Sequence, residues 1–395
     1  MNQSITKKDL LSISLAIFCM LFGAGNLIYP LAVGRSAGHL AAFGMIGFFI
    51  TAILLPLAGL ISMILFDGNY TTFFHRLGKT PGSLLIFISM LIIGPGVVIP
   101  RCITLSHTMV APFIPIPLLQ KITFFSSLIF SFLFLFITFI ATYRKKKIVS
   151  ILGDIIAPAL LASVTLIIGK GLITAKTTTT TTLSPLAIFK NGFMMGYQTL
   201  DLLGTIFFAS IIITILKQIT PKKEDLNILA LNGLKAGLIG LSLLGFIYIG
   251  MSILGAFHSH GFGNVDPGEL FRLISFSMLQ ANGAAIISIT ILLACISTVM
   301  GLSAVVAEYT KSIIFNNKLT YVQSLLLVLL SSIPLSIFGL KYVLAIAGGP
   351  IVYVVYPVLI TLTMCNIAYK TCGFIYVKAP VAIVFLIALT SYIFT

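Results

Sequence analysis

Phe22-Gly23-Ala24-Gly25-Asn26-Leu27-Ile28-Tyr29-Pro30 is the stretch on which the reading of this chain turns. It lies inside the first long apolar run, roughly residues 10–33, where a membrane-spanning helix is expected. Yet two glycines, an asparagine and a proline fall within eight residues of that run. Glycine has little helix propensity, and proline removes a backbone donor and clashes with the preceding turn. In hydrocarbon, freed backbone groups cost several kcal/mol each, so a break at this depth survives only where it lines a protein cavity. Broken helices near the bilayer midplane are a means by which secondary transporters present carbonyls to cations and amides to anions. Small residues also serve close helix packing. Of the two readings the functional one is preferred.

Working outward, the 395 residues are 58% hydrophobic and 8% charged, with mean hydropathy +1.14. That ratio belongs to a polytopic membrane protein. The first apolar run is too long for the apolar core of a signal peptide and no small-residue cleavage site follows it, so it reads as retained. The net charge of +15 would suggest nucleic acid in a soluble chain, but the cations cluster in short loops between apolar runs, and no nucleic-acid partner is expected. Five cysteines, at 19, 102, 295, 365 and 372, form no CxxC pair and read as packing residues.

Windows of about twenty apolar residues give eleven expected spans: 10–33, 41–65, 83–105, 122–142, 148–169, 192–216, 229–255, 282–309, 321–338, 342–368 and 377–394. Gly94-Pro95-Gly96 and Pro100-Arg101 interrupt the third. With the N-terminus inside, sixteen of the 24 Lys and Arg fall on the inner side, and Arg144–Lys147 is the densest block. The bias predicts a cytoplasmic N-terminus and, with eleven spans, an external C-terminus. The longest interruption, about 171–191, holds the tract Thr177–Thr182 and reads as an external connection without chemistry. It divides five spans from six. With five spans per unit, the second unit must enter the membrane inverted, which pairs span 1 with span 6.

Span 6 opens Gly192-Phe193-Met194-Met195-Gly196-Tyr197-Gln198-Thr199-Leu200-Asp201. An ionised side chain deep in a span is expensive, so Asp201 is a functional candidate; capping or touching headgroups is the alternative. Span 8 carries Ala294-Cys295-Ile296-Ser297-Thr298, whose adjacent hydroxyls offer neutral oxygens to a small hard cation, although such hydroxyls also bond back to their own helix. Gly348-Gly349-Pro350 in span 10 and Asp154 with Pro158 in span 5 mark hinges or packing kinks. Glu308 reads as an interfacial charge. His258, His260, Asp266 and Glu269 share an outer loop at a spacing that permits a metal, with a solvated loop preferred. There is no GxSxG, no HExxH and no paired acid, so an enzyme is not expected, and no channel-like polar stripe runs along the helices.

These motifs resemble the bacterial branched-chain amino acid:cation symporters. The match lies in Phe22–Pro30 followed by Gly34, in Gly94-Pro95 with Pro100-Arg101, in Gly196-Tyr197-x-Thr199-x-Asp201, in Ala294-Cys295-x-Ser297-Thr298 and in Tyr356-Pro357. It extends from residue 10 to about 368. The resemblance implies an all-α polytopic protein on the five-plus-five inverted-repeat, leucine-transporter-like fold of the amino acid–polyamine–cation superfamily, with helices 1 and 6 discontinuous. The repeats would be 1–170 and 192–368, joined by the threonine-rich 171–191, with 369–395 as an extra span. The family usually has twelve spans, so the eleven counted put oligomer contacts in question rather than transport.

The implied activity is import of Leu, Ile and Val across the bacterial inner membrane with Na⁺ or H⁺ as coupling ion and no other cofactor. Another small solute, such as a different amino acid or a nucleobase, is the alternative on the same fold. In the resulting scheme an unwound Ala24–Asn26 (Ala24, Gly25, Asn26) offers amides to the substrate carboxylate. Tyr197, Thr199 and Asp201 meet its ammonium. Carbonyls near Cys19 and Phe22 join the oxygens of Ala294, Ser297 and Thr298 around the cation, and Asp201 could instead carry a coupling proton. Arg101 has no assigned role.

Overall fold

The computed structural model describes residues 6–175, 177–219, 226–263 and 265–394. Lys176, Lys222 and Lys223, which entered the charge count above, lie outside the described residues. The described chain is helical, with no strand among the described residues. Among the described residues, eight helical runs are long and apolar enough to cross a membrane: Ala24–Leu65, Lys79–Phe113, Phe124–Thr142, Ile148–Thr174, Pro185–Lys217, Ile228–His258, Ser288–Ile314 and Leu340–Cys372. Expected spans 1 and 2 share the first of these, which turns at Gly38 (φ 50°). Spans 9 and 11 correspond to the shorter apolar helices Tyr321–Ile337 and Lys378–Phe394. At 1.5 Å per residue these reach about 25 Å, slightly less than the hydrocarbon thickness.

The first expected span consists of two helices, α1 (Lys7–Leu21) and α2 (Ala24–Ala37). The break differs in place from the expected one. It is Phe22–Gly23 that leaves the helix, while Ala24–Asn26 already form the first turn of α2. The reason is local: Asn26 Oδ1 accepts from the Gly23 N–H (3.1 Å), so the side chain three residues into α2 reaches back and fixes its start. The third expected span is broken at Gly94 (φ −93°, ψ −124°), just before Pro95, ahead of α3 (Val98–Val110). The sixth consists of α4 (Pro185–Tyr197) and α5 (Asp201–Ile219). Between them Leu200 adopts φ +66°, an uncommon conformation for a branched side chain. The tenth is broken at Gly349 (φ −90°, ψ −120°), before Pro350.

Two long helices complete the frame of the centre, α6 (Leu226–His258) and α7 (Pro267–Tyr309). Glycines set how closely they approach. A Cβ on Gly34 of α2 would stand 1.8 Å from the Ser252 carbonyl oxygen, and one on Gly255 of α6 2.0 Å from that of Leu31. The two backbones are in direct contact there, as small residues permit between membrane helices. The tract Thr177–Thr182 is tied to two helices at one end of the molecule: Thr179 N–H donates to the Ala256 carbonyl (2.8 Å) and its own carbonyl accepts from His39 N–H (3.1 Å).

Candidate functional site

The two breaks meet. Asn26, in the first turn of α2, donates through Nδ2 to Asp201 Oδ2 (2.7 Å) and to the Tyr248 hydroxyl, and Tyr248 donates to the same carboxylate oxygen (3.1 Å). Asp201 opens α5, where the helix dipole favours an acid, and it is buried. Thr199 lies in the second break, its hydroxyl donating to the Gly196 carbonyl (2.8 Å). The Leu202 amide, one of the unpaired donors at the start of α5, is taken up by the Tyr356 hydroxyl (3.1 Å).

Between the breaks is a cavity of about 20 Å³ whose polar wall includes Gly23, Asn26, Arg101, Thr199, Asp201 and Thr298. Ile93, Val98, Phe208 and Leu302 are among its apolar lining residues. A space of that size holds about one water; an engineered cavity that admits benzene measures roughly 150 Å³. Helices must therefore separate for any solute of amino-acid size to enter.

Of the six expected substrate residues, Ala24, Asn26, Thr199 and Asp201 wall this cavity. Gly25 packs one residue away against the Arg101 guanidinium, 3.1 Å from where its Cβ would be. Tyr197 stands apart: its ring packs on Phe193 (4.9 Å) and Tyr356 (5.4 Å). Asn26 and Tyr248 occupy one oxygen of the Asp201 carboxylate, Oδ2.

The expected cation residues come together where α1 crosses α7. Ser297 Oγ is shared between the carbonyl oxygens of Cys19 (3.1 Å) and Ala294 (2.8 Å). Thr298 Oγ1 is buried and has no hydrogen-bond partner among the described residues, and it stands 2.8 Å from the position of a Cβ on Gly23. Phe22 is buried and stacks on Phe18 at 5.2 Å, so only its backbone faces this question. These are neutral oxygens, the ligands a small hard cation prefers.

The two histidines at and just after the end of α6 serve separate contacts. His258 Nε2 is 2.9 Å from the Gly171 carbonyl and His260 Nε2 3.0 Å from that of Thr177, while Asp266 caps α7 through the Gly268 and Glu269 amides. No group of three metal-ligating side chains occurs among the described residues.

Two central residues have no role assigned from the sequence. Arg101 was visible as a lone cation in a span but had no place; Tyr248, one tyrosine on an apolar helix, carried no signal at all.

The chain is similar to known proteins over nearly its whole length. It is 29% identical over 377 residues to the branched-chain amino acid permease BraB of Bacillus subtilis (strain 168), covering 94% of this chain and 82% of the relative. A solved structure of a Na⁺-coupled sialic acid symporter, in a substrate-bound outward-open state, superposes with a TM-score of 0.56. It covers 96% of this chain and 88% of that one at 12% identity, a likeness of fold. The family profile described as "Branched-chain amino acid transport protein" matches residues 6–394, and the chain belongs to that family.

Proposed function

We propose that this multi-pass membrane transport protein is a secondary active symporter that imports leucine, isoleucine and valine with Na⁺ or H⁺, by alternating access around the cavity between the two broken helices. The observation that carries the reading is the mixed lining of that cavity. Its lining includes opposite charges, Arg101 and Asp201, as a zwitterion requires, together with aliphatic and aromatic side chains, as a branched tail requires. A pocket of this kind separates ligands differing by one methylene by only about 1–3 kcal/mol, so all three branched amino acids are accepted. Asn26, Thr199 and Asp201 belong to the substrate site. Cys19, Ala294, Ser297 and Thr298 belong to the cation site, where a bound ion would replace the Ser297 hydrogen bonds and tie α1 to α7. Cation and substrate then favour the same arrangement of α1, α2 and α5, which is coupling in the thermodynamic sense.

Features of the fold support the cycle. α2 packs on α6 through Gly34 and Gly255, and α4 packs on the helix after Gly38 through Gly192, whose Cβ would lie 2.0 Å from the Gly44 carbonyl oxygen. Span 1 thus packs on span 7, and span 6 on span 2, at glycines, the span pairing expected of two inverted five-span units. A second, larger cavity of about 880 Å³ lies at the end of the molecule that carries Lys145, with Asp9, Asp154, Ser210 and Glu308 in its wall. With Arg144–Lys147 on the cytoplasmic side of the inner membrane, this is the inner vestibule.

The test is uptake of labelled leucine into proteoliposomes under an imposed Na⁺ gradient and, separately, an imposed H⁺ gradient. Uptake driven by Na⁺ alone and lost in Ser297→Ala/Thr298→Ala supports the site on α1 and α7. Uptake driven by H⁺ and lost in Asp201→Asn moves coupling to α5. No leucine uptake under either gradient defeats the assignment.

A further inference from the structure

Arg101 is only 2% exposed and shares the wall of the central cavity with Asp201, whose charge acts on it without an ion-pair contact. A guanidinium has five N–H donors. Here Nη1 donates to the Gln198 carbonyl (2.7 Å) and Nη2 to that of Thr199 (3.1 Å), while Nε has no hydrogen-bond partner among the described residues. No carboxylate lies within ion-pair distance of it among the described residues, whose pairs are Lys145–Glu308, Lys217–Asp67 and Arg272–Glu269. Breaking up a buried pair is costly because a lone buried charge lacks compensation, and a cation in this position calls for an anion.

A second feature of the same sign converges on it. The guanidinium packs over Gly25, where a Cβ would lie 3.1 Å from Nη2, so it faces the first turn of α2. That turn is the positive end of a fourteen-residue helix and presents amides with no partner inside the helix. A helix N-terminus and an arginine repel one another. Brought together in a water-poor cavity, they are stabilised by an anion held between them, and the planar fork of arginine matches a carboxylate.

We propose that Arg101 binds the substrate α-carboxylate and so determines that the transporter requires one. This deepens the reading of the central cavity as an amino-acid site and rests on it. The α2 amides contribute on one side and the guanidinium, delivered by α3, on the other. Asp201 across the cavity answers the ammonium. Hydrogen bonds to the Gln198 and Thr199 carbonyls hold the fork in position and leave Nε and one N–H on each terminal nitrogen for the ligand.

The alternative is that Arg101 only clamps the break between α4 and α5, and a matched pair of ligands separates the two. Leucine and leucinamide share the ammonium and the branched tail and differ in the carboxylate. Equilibrium binding of each is measured on the purified full chain, with monodispersity and melting temperature as the check on folding. The wild type prefers leucine. In Arg101→Gln, leucine binding weakens by about 30-fold or more while leucinamide changes by less than about threefold, so the preference collapses. Arg101→Lys keeps the charge without the fork and falls between, and it serves the same comparison if the Gln variant does not fold. Equal weakening of both ligands, or a wild type that does not distinguish them, overturns the carboxylate role while leaving the amino-acid site standing. A wild type that binds no leucine overturns the amino-acid reading and this role with it.

Discussion

The smallest unit with a functional consequence is the triangle of Asn26, Tyr248 and Asp201. Its carboxylate is buried, and Asn26 and Tyr248 supply neutral donors that keep it in place beside the cavity. A hydrogen bond to a charged group contributes about 1.5–3 kcal/mol when buried. Removing the phenolic hydroxyl in Tyr248→Phe leaves the ring and its edge contact with Phe48 intact (5.2 Å). The expected result is leucine binding weakened by about tenfold or more, with a melting temperature within a few degrees of wild type. Unchanged affinity would mean that Asp201 is held by Asn26 alone. Asp201 and Asn26 were recognisable from their types and their settings in apolar runs. Tyr248 was not, because a tyrosine on a long apolar helix is indistinguishable from an interfacial or packing aromatic until its partner is known.

At the scale of the helix, breaks and crossings are both made by glycine but answer to different physics. The breaks at Gly23, Gly94 and Gly349 are local events, and three of the expected interruptions could be read from glycine near asparagine or proline. Their exact register could not: Asn26 moved the start of α2 back to Ala24, so the residues expected to be unwound are helical and Phe22–Gly23 are not. Crossings depend on what lies opposite. Gly34→Ala places a methyl group 1.8 Å from the Ser252 carbonyl oxygen, so α2 and α6 must part. Gly245→Ala, on the same α6, meets nothing nearer than 3.6 Å and removes a residue of poor helix propensity. Thermal unfolding in detergent should show Gly34→Ala strongly destabilised and Gly245→Ala unchanged or slightly more stable. A neutral Gly34→Ala would contradict the close crossing.

Across the whole molecule, the small central cavity and the larger one beside Lys145 correspond, in the proposed cycle, to a conformation closed around the site and open toward one end. Ser210 of α5 faces the larger cavity, whereas four of the five native cysteines are buried. In a Cys372→Ser background, Ser210→Cys should react with a membrane-impermeant thiol reagent added from the cytoplasmic side of inside-out vesicles. It should resist the same reagent added from outside to intact cells. Reaction only from outside would reverse the orientation argued from the Arg144–Lys147 block. Saturating leucine with the coupling cation should slow the reaction if ligands favour a state in which this vestibule narrows.

Along the chain alone, hydropathy marks an all-helical membrane protein, glycines mark breaks in its first and sixth spans, and Asn26, Asp201, Ser297 and Thr298 stand out as polar residues where hydrocarbon would otherwise be. These are local properties: hydropathy over one helix length, backbone propensity over one turn, and the cost of a polar group at depth. Tertiary structure alone decided which of them meet. Asn26 and Asp201 are separated by 175 residues, and Tyr248 joins them from 222 residues beyond Asn26. Arg101 reaches the Gln198 and Thr199 carbonyls and the α2 N-terminus only because three helices cross at one depth. Whether a buried charge is paired depends on the distance to every other charge in the fold, and no window of sequence contains that distance.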